Sequence, residues 1–556
     1  MKDINIIEAL GHTLFFLIKI WTVYSCYLFC KYFKIHYAFG VLIYFFPLVN
    51  LLVTVFPFYY WINKLVAKKN IDKINDIEVA DSENSDNSES LSFKTEKGII
   101  TIDNIYRNIY VQGGAGAGKS KSVIEPTIIQ SAKNEMAGVF YDFKAPSMSE
   151  KLLYEYKDST KVSTFFVDFK DPSRSNRVNP ISPKYLLKSA HAFELSQTLI
   201  QNLLPETIKQ REYFDREAQS ILTGVMWYMR NNHPEYCTIP HIISMFLHVD
   251  IEKIIEMVGT DTEASGMISS LRQAMDRKAN KLVASVMSTL QNALSTLNNP
   301  EIFWILSGND FSLNLNDPSD PKFMCIGNDS TLSATYAPVI SLILSSTLRL
   351  MNQEDKYKST IIIDEAPTIF IPRLTEFLAT ARSNKISTIY AAQDYGQIEA
   401  QNGKEAAQSI LSNLGTQIYG RTANVKTAEM IKSIFSKQDR TFVTTSQNDG
   451  KSGGLAWQLG RSKSKGQNES IQERDRVKVT DIMNLDKGEF YGIVAEGTPR
   501  EFLKTKFLIS EQPEIKHTYN IKTPEEYFKR NYNNIINEVL GIAGIDQKED
   551  GNLINF

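Results

Sequence analysis

Gly113-Gly114-Ala115-Gly116-Ala117-Gly118-Lys119-Ser120 has the spacing G-x-x-x-x-G-K-S and lies where one backbone period gives way to another. Residues 108–112 alternate and are rich in β-formers, whereas residues 122–133 repeat apolar positions at helical spacing, so the run is expected at a strand-to-helix turn. Glycines there let the backbone pass through positive φ and bring successive N–H groups against a phosphate, with the helix N-terminus adding its dipole. Lys119 would reach the β and γ oxygens and Ser120 would place its hydroxyl on Mg²⁺. The expected nucleotide-binding segment is therefore Gly113, Gly114, Ala115, Gly116, Ala117, Gly118, Lys119, Ser120 and Lys121, with ATP and Mg²⁺ as cofactors. A flexible glycine turn that ends in Lys-Ser is the bland alternative.

A second stretch bears on that choice. Ser359-Thr360-Ile361-Ile362-Ile363-Asp364-Glu365-Ala366 is an apolar β run closed by two carboxylates, at the strand end where open α/β sheets place their ligands. Asp364 would hold the Mg²⁺ shell and Glu365 would orient or deprotonate the attacking water. An apolar strand ending in two acids is common by chance; paired with the loop at Gly113 it points to triphosphate hydrolysis.

At 556 residues the chain exceeds one compact core, and two or three domains are expected. A net charge of −2 excludes a globally basic nucleic-acid binder but not a local basic channel. Cys26, Cys30, Cys237 and Cys325 form no C-x-x-C pair, so neither disulfides nor structural zinc are expected.

The first 70 residues read as a two-helix transmembrane hairpin, with spans over 10–30 and 37–61 and Lys19 as the charge inside them. Lys64, Lys68, Lys69 and Lys73 place the large C-terminal region in the cytoplasm by the positive-inside tendency, although Lys31 and Lys34 weigh against it. No cleavable signal peptide is expected. Residues 71–97 read as an acidic linker. The Ser/Gln/Asn-rich stretch 444–476 reads as a mobile surface loop, or more sharply as a basic loop facing a nucleic-acid channel.

Strand, helix, strand over 138–168 implies a parallel sheet. From 183 to 306 strand signals nearly vanish; they resume at 322. An all-helical domain inserted into the nucleotide-binding one accounts for the roughly 245 residues between Lys119 and Asp364. The expected organisation is a hairpin over 1–70, a linker over 71–97, a nucleotide-binding domain split into 98–182 and 307–512 by the helical domain 183–306, and a tail over 513–556.

Several local patterns together resemble the TraG/TraD-like coupling ATPases of type IV secretion and conjugation systems. They are Gly118-Lys119-Ser120-Lys121-Ser122 running to Glu125-Pro126-Thr127, Arg177-Val178-Asn179-Pro180, Asp364-Glu365-Ala366-Pro367, Leu378-Ala379-Thr380-Ala381-Arg382, Ala392-Gln393, Ser412-Asn413-Leu414 and Lys487-Gly488-Glu489-Phe490. The resemblance, over most of residues 1–510, implies a RecA-like α/β P-loop fold in a membrane-anchored hexamer. Such a motor takes a relaxase bound to single-stranded DNA to a secretion channel, at the bacterial inner membrane as a multi-pass protein. It also implies Arg382 as the finger reaching a neighbour's γ-phosphate, with Arg421 as the alternative, and Gln393 as the sensor of hydrolysis. With Lys119 and Glu365 these complete the expected catalytic set; Ser120 and Asp364 are the expected metal residues. Three other readings stay open at this point: an effector-protein pump, an FtsK/HerA-type DNA translocase and an ATP-binding membrane scaffold. The six-residue connection between spans and the absence of a long acidic tail depart from the family's pattern.

Overall fold

The computed structural model describes residues 3–32, 56–62, 89–210, 212–435, 437–450, 462–509 and 522–545. They fall into two units, one from Met1–Ile77 with Phe435–Arg476 and a larger one from Glu78–Ile434 with Val477–Phe556.

In chain order the strands are β1 (Leu91–Thr95), β2 (Gly98–Ile102), β3 (Ile109–Gln112), β4 (Ala137–Asp142), β5 (Ser163–Asp168), β6 (Lys322–Gly327) and β7 (Ser359–Ile363). They continue as β8 (Ile386–Ala392), β9 (Thr416–Tyr419), β10 (Lys437–Gly450), β11 (Ser462–Asp475), β12 (Glu489–Ile493), β13 (Gly497–Thr498) and β14 (Glu501–Lys506). Nine of them form one sheet in the order β14-β12-β9-β3-β8-β7-β4-β6-β5. From β9 to β5 every pairing is parallel, and β12 and β14 extend it antiparallel at one edge. Every residue of β3, β4, β6, β7 and β8 is buried. That burial is why these strands read as continuous apolar runs: a parallel sheet carries helices on both faces.

β3, the strand leading into the phosphate loop, lies between β9 and β8, with β7 next beyond β8. All four run the same way, so their C-terminal ends share one rim. The α/β fold expected from the sequence is present. A small sheet, β1-β2-β13, stands beside it. Its first strand begins at Leu91, inside the stretch expected as linker; the acidic run 81–88 lies outside the described residues.

Among the described residues no strand intervenes between Asp168 and Lys322, where helices follow one another from Ser189–Leu203 to Pro300–Leu306. Among them are Thr262–Met267, Ser269–Asp276 and Asn280–Ser295, with Lys278 at φ 58° between the last two. The segment expected as a tail contributes a helix, Glu525–Ile542, to this region. Its Phe528 and Tyr532 rings lie 5.5 and 4.9 Å from Trp304 and Phe303, and Glu538 meets His241 at 2.9 Å.

Among the described residues, one helix passes as long and apolar enough to cross a membrane, Ser333–Met351. Its apolar stretch is 67% buried and packs in the interior of the larger unit, so hydropathy here marks a core helix. In the smaller unit Asp3–Tyr32 is a helix of 30 residues, about 45 Å long at 1.5 Å per residue. Phe16, Leu17 and Val23 are exposed on it, and the rings of Trp21 and Phe29 lie 5.4 and 5.2 Å from Phe58 and Phe56 of the helical turn 56–62. Most of the second expected span lies outside the described residues.

Candidate nucleotide-binding site

Backbone hydrogen bonds hold the loop after β3 at both ends. Gly113 N–H donates to Ala392 at 3.2 Å, Gly114 N–H to the Arg421 carbonyl at 2.7 Å, and Ser122 N–H to Gly118 at 2.8 Å. Gly116 and Gly118 take φ of 76° and 101°, which only glycine adopts without strain. A Cβ on Gly118 would also stand 2.9 Å from the Gly488 nitrogen. That nitrogen donates to the Ala117 carbonyl at 2.9 Å, so the turn before β12 buttresses the phosphate loop. Lys487-Gly488 reads as a turn in the sequence but without a partner, because the contact joins residues some 370 apart.

The helix beyond opens with a wide turn, Ser120–Ile124, in which Glu125 N–H reaches back to the Ser120 carbonyl. Pro126 follows and cannot donate a hydrogen bond of its own, which accounts for the irregular start. Lys119 stands at the head of this turn, 8% exposed, with Nζ donating to the Gly113 carbonyl at the other end of the loop. Burial pulls its pKa down; Glu365 and then Asp364 pull it back up, and Lys144 pulls it down.

The two carboxylates arrive from β7. Asp364 accepts a 3.4 Å hydrogen bond from the Ser120 hydroxyl at Oδ1, so the two expected metal residues face one another. A hydroxyl and one carboxylate are the oxygen donors that Mg²⁺ takes from a protein while it keeps waters and phosphate oxygens. The donor set thus fits the ion. Glu365 is 7% exposed, and Oε1 accepts the Gln393 N–H at 3.1 Å. Burial pushes both carboxyls above their ordinary range, and the nearby Lys119 opposes it. Gln393, just past β8, gives its carbonyl to the Gln112 amide at 3.0 Å, which ties sensor, acid and phosphate loop together. Beneath them Tyr110, Tyr390 and Tyr419 pack in the sheet, with centroids 6.4 and 5.8 Å from Tyr110.

Arg382 is not brought to this rim. It precedes β8, at the end of that strand opposite Gln393, where Nη2 lies 3.6 Å from Glu496. Glu496 also binds Arg107 and Asn104. Arg421, by contrast, follows β9 directly beside the loop, its carbonyl taken by Gly114 and its side chain exposed.

Asp142 stands at the end of β4, buried. It accepts hydrogen bonds from Ser149 N–H at 2.9 Å, Ser149 Oγ at 3.0 Å and Lys144 N–H at 3.2 Å. Burial pushes its pKa up from 3.8 to about 6, Ser149 N–H pulls it back, and Asp364 adds to the rise. Asp168 is pushed to about 6 as well, again first by burial. The folded state therefore binds protons more tightly than the unfolded one. The stabilisation this gives is fully present below about pH 4 and is lost as pH rises through about 6, up to about 3 kcal/mol for each carboxyl. Melting temperatures of Asp142→Asn and the parent between pH 4 and 7 should differ in slope, the variant losing less stability on alkalinisation. Parallel curves would refute the assignment.

Fold and site together define a nucleotide-binding α/β protein with a helical insertion. The family model for type IV secretory system conjugative DNA transfer matches residues 64–507, and the chain belongs to that family. It is 22% identical over 345 residues to the coupling protein TraD of Escherichia coli (strain K12), a stretch covering 59% of this chain and 44% of that protein. The chain thus spans under half the length of that curated relative. Among solved structures, the unbound bacterial conjugative coupling protein TrwBdeltaN70 shares the fold at TM-score 0.55 and 14% identity, covering 81% of this chain and 94% of that one. Plasmid coupling protein TrwB in complex with ADP and Mg²⁺ does so at 0.53 and 15%, covering 74% and 88%.

Proposed function

We propose that this chain is a membrane-anchored ATPase that couples a relaxase–DNA substrate to a type IV secretion channel and drives conjugative transfer by ATP hydrolysis. One observation carries the catalytic half of this reading: Lys119, Ser120, Asp364, Glu365 and Gln393 converge at the C-terminal rim of β3, β7 and β8. Backbone N–H groups of the loop would cradle the β-phosphate, Lys119, which now donates to the Gly113 carbonyl, would serve the β and γ oxygens, and Ser120 with Asp364 would hold Mg²⁺. Bound Mg²⁺ supplies charge neutralisation on the phosphates. Glu365, held by Gln393 N–H, orients the attacking water and takes its proton.

Membership of a family of conjugative DNA transfer proteins supports the cargo and the setting. In this reading the chain is a multi-pass protein of the inner membrane, anchored through residues 1–70, with its nucleotide-binding segments (98–182 and 307–512) and helical domain (183–306) in the cytoplasm. It works as a homo-hexamer. Arg382, remote from the site of its own subunit, suits a finger that acts on a neighbour's γ-phosphate, with Arg421 as the alternative.

The test is ATP turnover by the purified chain with and without single-stranded DNA. Turnover should rise several-fold with DNA. A flat response would favour an effector-protein pump, and no turnover at all would end the motor reading.

A further inference from the structure

Past the end of β8, Gln393 and Asp394 stand where chain from four neighbouring strands meets. Gln393 is held from β7 through Glu365 and from β3 through Gln112. Asp394 opens the helix Tyr395–Asn402, and its Oδ1 accepts the Gly396 N–H at 2.8 Å. That contact alone makes it an N-cap. The carboxylate does more: Oδ1 also accepts the Asn424 side-chain amide at 2.9 Å, and Oδ2 accepts the Thr422 hydroxyl at 3.1 Å. Both donors lie beyond β9, 30 and 28 residues further along the chain.

The clasped segment is the one that carries Arg421. Thr422 is 2% exposed, and its Oγ1 takes the Asn424 N–H at 3.1 Å while donating to Asp394. Asn424 Oδ1 in turn accepts the Lys426 N–H at 3.0 Å, at the start of the helix Val425–Ile434. Before Arg421, Gly420 N–H donates to the Gln112 carbonyl at 2.7 Å, and the Arg421 carbonyl itself takes the Gly114 N–H at 2.7 Å. The segment 420–424 is thereby pinned to β3, to the phosphate loop and to Asp394. The Arg421 side chain is exposed and, among the described residues, makes no ion pair, so its charge is unspent beside the loop.

Hydrogen bonds accepted by a carboxylate are charge-assisted and stronger than neutral ones. Loosening this clasp would free the segment after β9 while the residues that grip the nucleotide stay in place, and turnover falls steeply when a charged group is displaced by as little as about 1 Å. We propose that Asp394 is a positioning residue for ATP turnover: by clasping Thr422 and Asn424 it sets Arg421 on the phosphates held by the loop of its own subunit, in step with the adjacent Gln393. A guanidinium there stabilises charge on the transferring phosphoryl group. The proposal rests on the ATPase reading above and adds to it a role for Arg421 and the carboxylate that fixes it.

The experiment uses the full chain and measures kcat and KM for ATP, binding of a fluorescent non-hydrolysable ATP analogue, and melting temperature. Asn424→Asp keeps an acceptor for the Lys426 N–H but sets a second carboxylate against Asp394. Asp394→Ser keeps a cap for its helix and loses the reach to Thr422 and Asn424. Each should lower kcat about tenfold and leave analogue affinity within about twofold, the mark of an interaction made in the transition state. Arg421→Ala should lower kcat by at least about tenfold. Added to Arg421→Ala, neither change should cost more than about a further twofold, because residues that act through one group are not additive. A merely structural role gives the opposite: losses that multiply, with analogue affinity and melting temperature falling alongside kcat. That result, parental kcat in both clasp variants, or parental kcat in Arg421→Ala would overturn the proposal and leave the ATPase reading standing. A parent chain without turnover would overturn that reading and the proposal together.

Discussion

Lys119→Ala should abolish ATP turnover, by at least about 10²- to 10³-fold, the cost of deleting one preorganised donor aimed at developing charge. Lys119 is a nearly buried ammonium at the mouth of the loop, drawn by Glu365 and Asp364 on one side and resting on the Gly113 carbonyl on the other. No other described cation within the loop combines that burial with that place. Lys121 is exposed and paired with Glu125 at 2.8 Å. Stability should change little, because deleting a desolvated cation offsets the lost hydrogen bond to Gly113. Phosphate release and a melting curve on the same preparation check both halves. Turnover within tenfold of the parent would show that the ammonium does not act on the reacting phosphate.

Glu365→Gln should separate binding from chemistry. Glutamine keeps the shape and retains an oxygen to accept the Gln393 N–H, which Glu365 now takes at 3.1 Å. What disappears is the capacity to take a proton, so turnover should fall about 10²- to 10⁴-fold while a fluorescent nucleotide still binds within a few-fold of the parent. The direction of the pKa adds a pH signature. Burial lifts the Glu365 carboxyl above its usual range, and a base must be ionised to act, so parental turnover should decline on acidification at a higher pH than an ordinary glutamate would allow. Near-parental turnover in this variant would show that Glu365 does not take the proton of the attacking water.

The phosphate loop is legible in the sequence because its requirements are local. Two positive-φ positions, a lysine and a hydroxyl must follow a strand within eight residues, and no tertiary partner is needed to recognise them. The acidic pair is legible for a related reason: a wholly buried strand has to be apolar throughout, so two carboxylates directly after it stand out. The membrane hairpin is read from hydropathy, the same quantity that also marks Ser333–Met351, a helix buried in the core. Apolarity along a helix records that it leaves water, and is silent on whether lipid or protein receives it.

Other features are out of the sequence's reach. Gly488 reads as a turn glycine until the fold sets its N–H against Ala117. Arg382 matches a pattern, yet its partner Glu496, which also binds Arg107 and Asn104, comes from a distant stretch of chain. The polar run after 444 has the composition of a loop; that 437–450 pairs with 462–475 as antiparallel strands is a property of register invisible in composition. Asp142 is one aspartate among many until burial removes its water.

Residue order alone therefore established that a strand-loop-helix unit with the chemistry to grip a triphosphate is present, and that an acidic pair follows much later beyond a strand-poor helical stretch. Chain geometry near each segment suffices for that, since turn torsions and hydrophobic period depend on neighbours a few positions away. Which strands lie side by side is a different matter: β3 between β9 and β8, with β7 one place beyond, is settled by how the buried faces pack. That packing brings Ser120 to Asp364 and Glu365 to Gln393, because contacts between distant segments form only when burying their apolar surface outweighs the entropy of closing the loops between them.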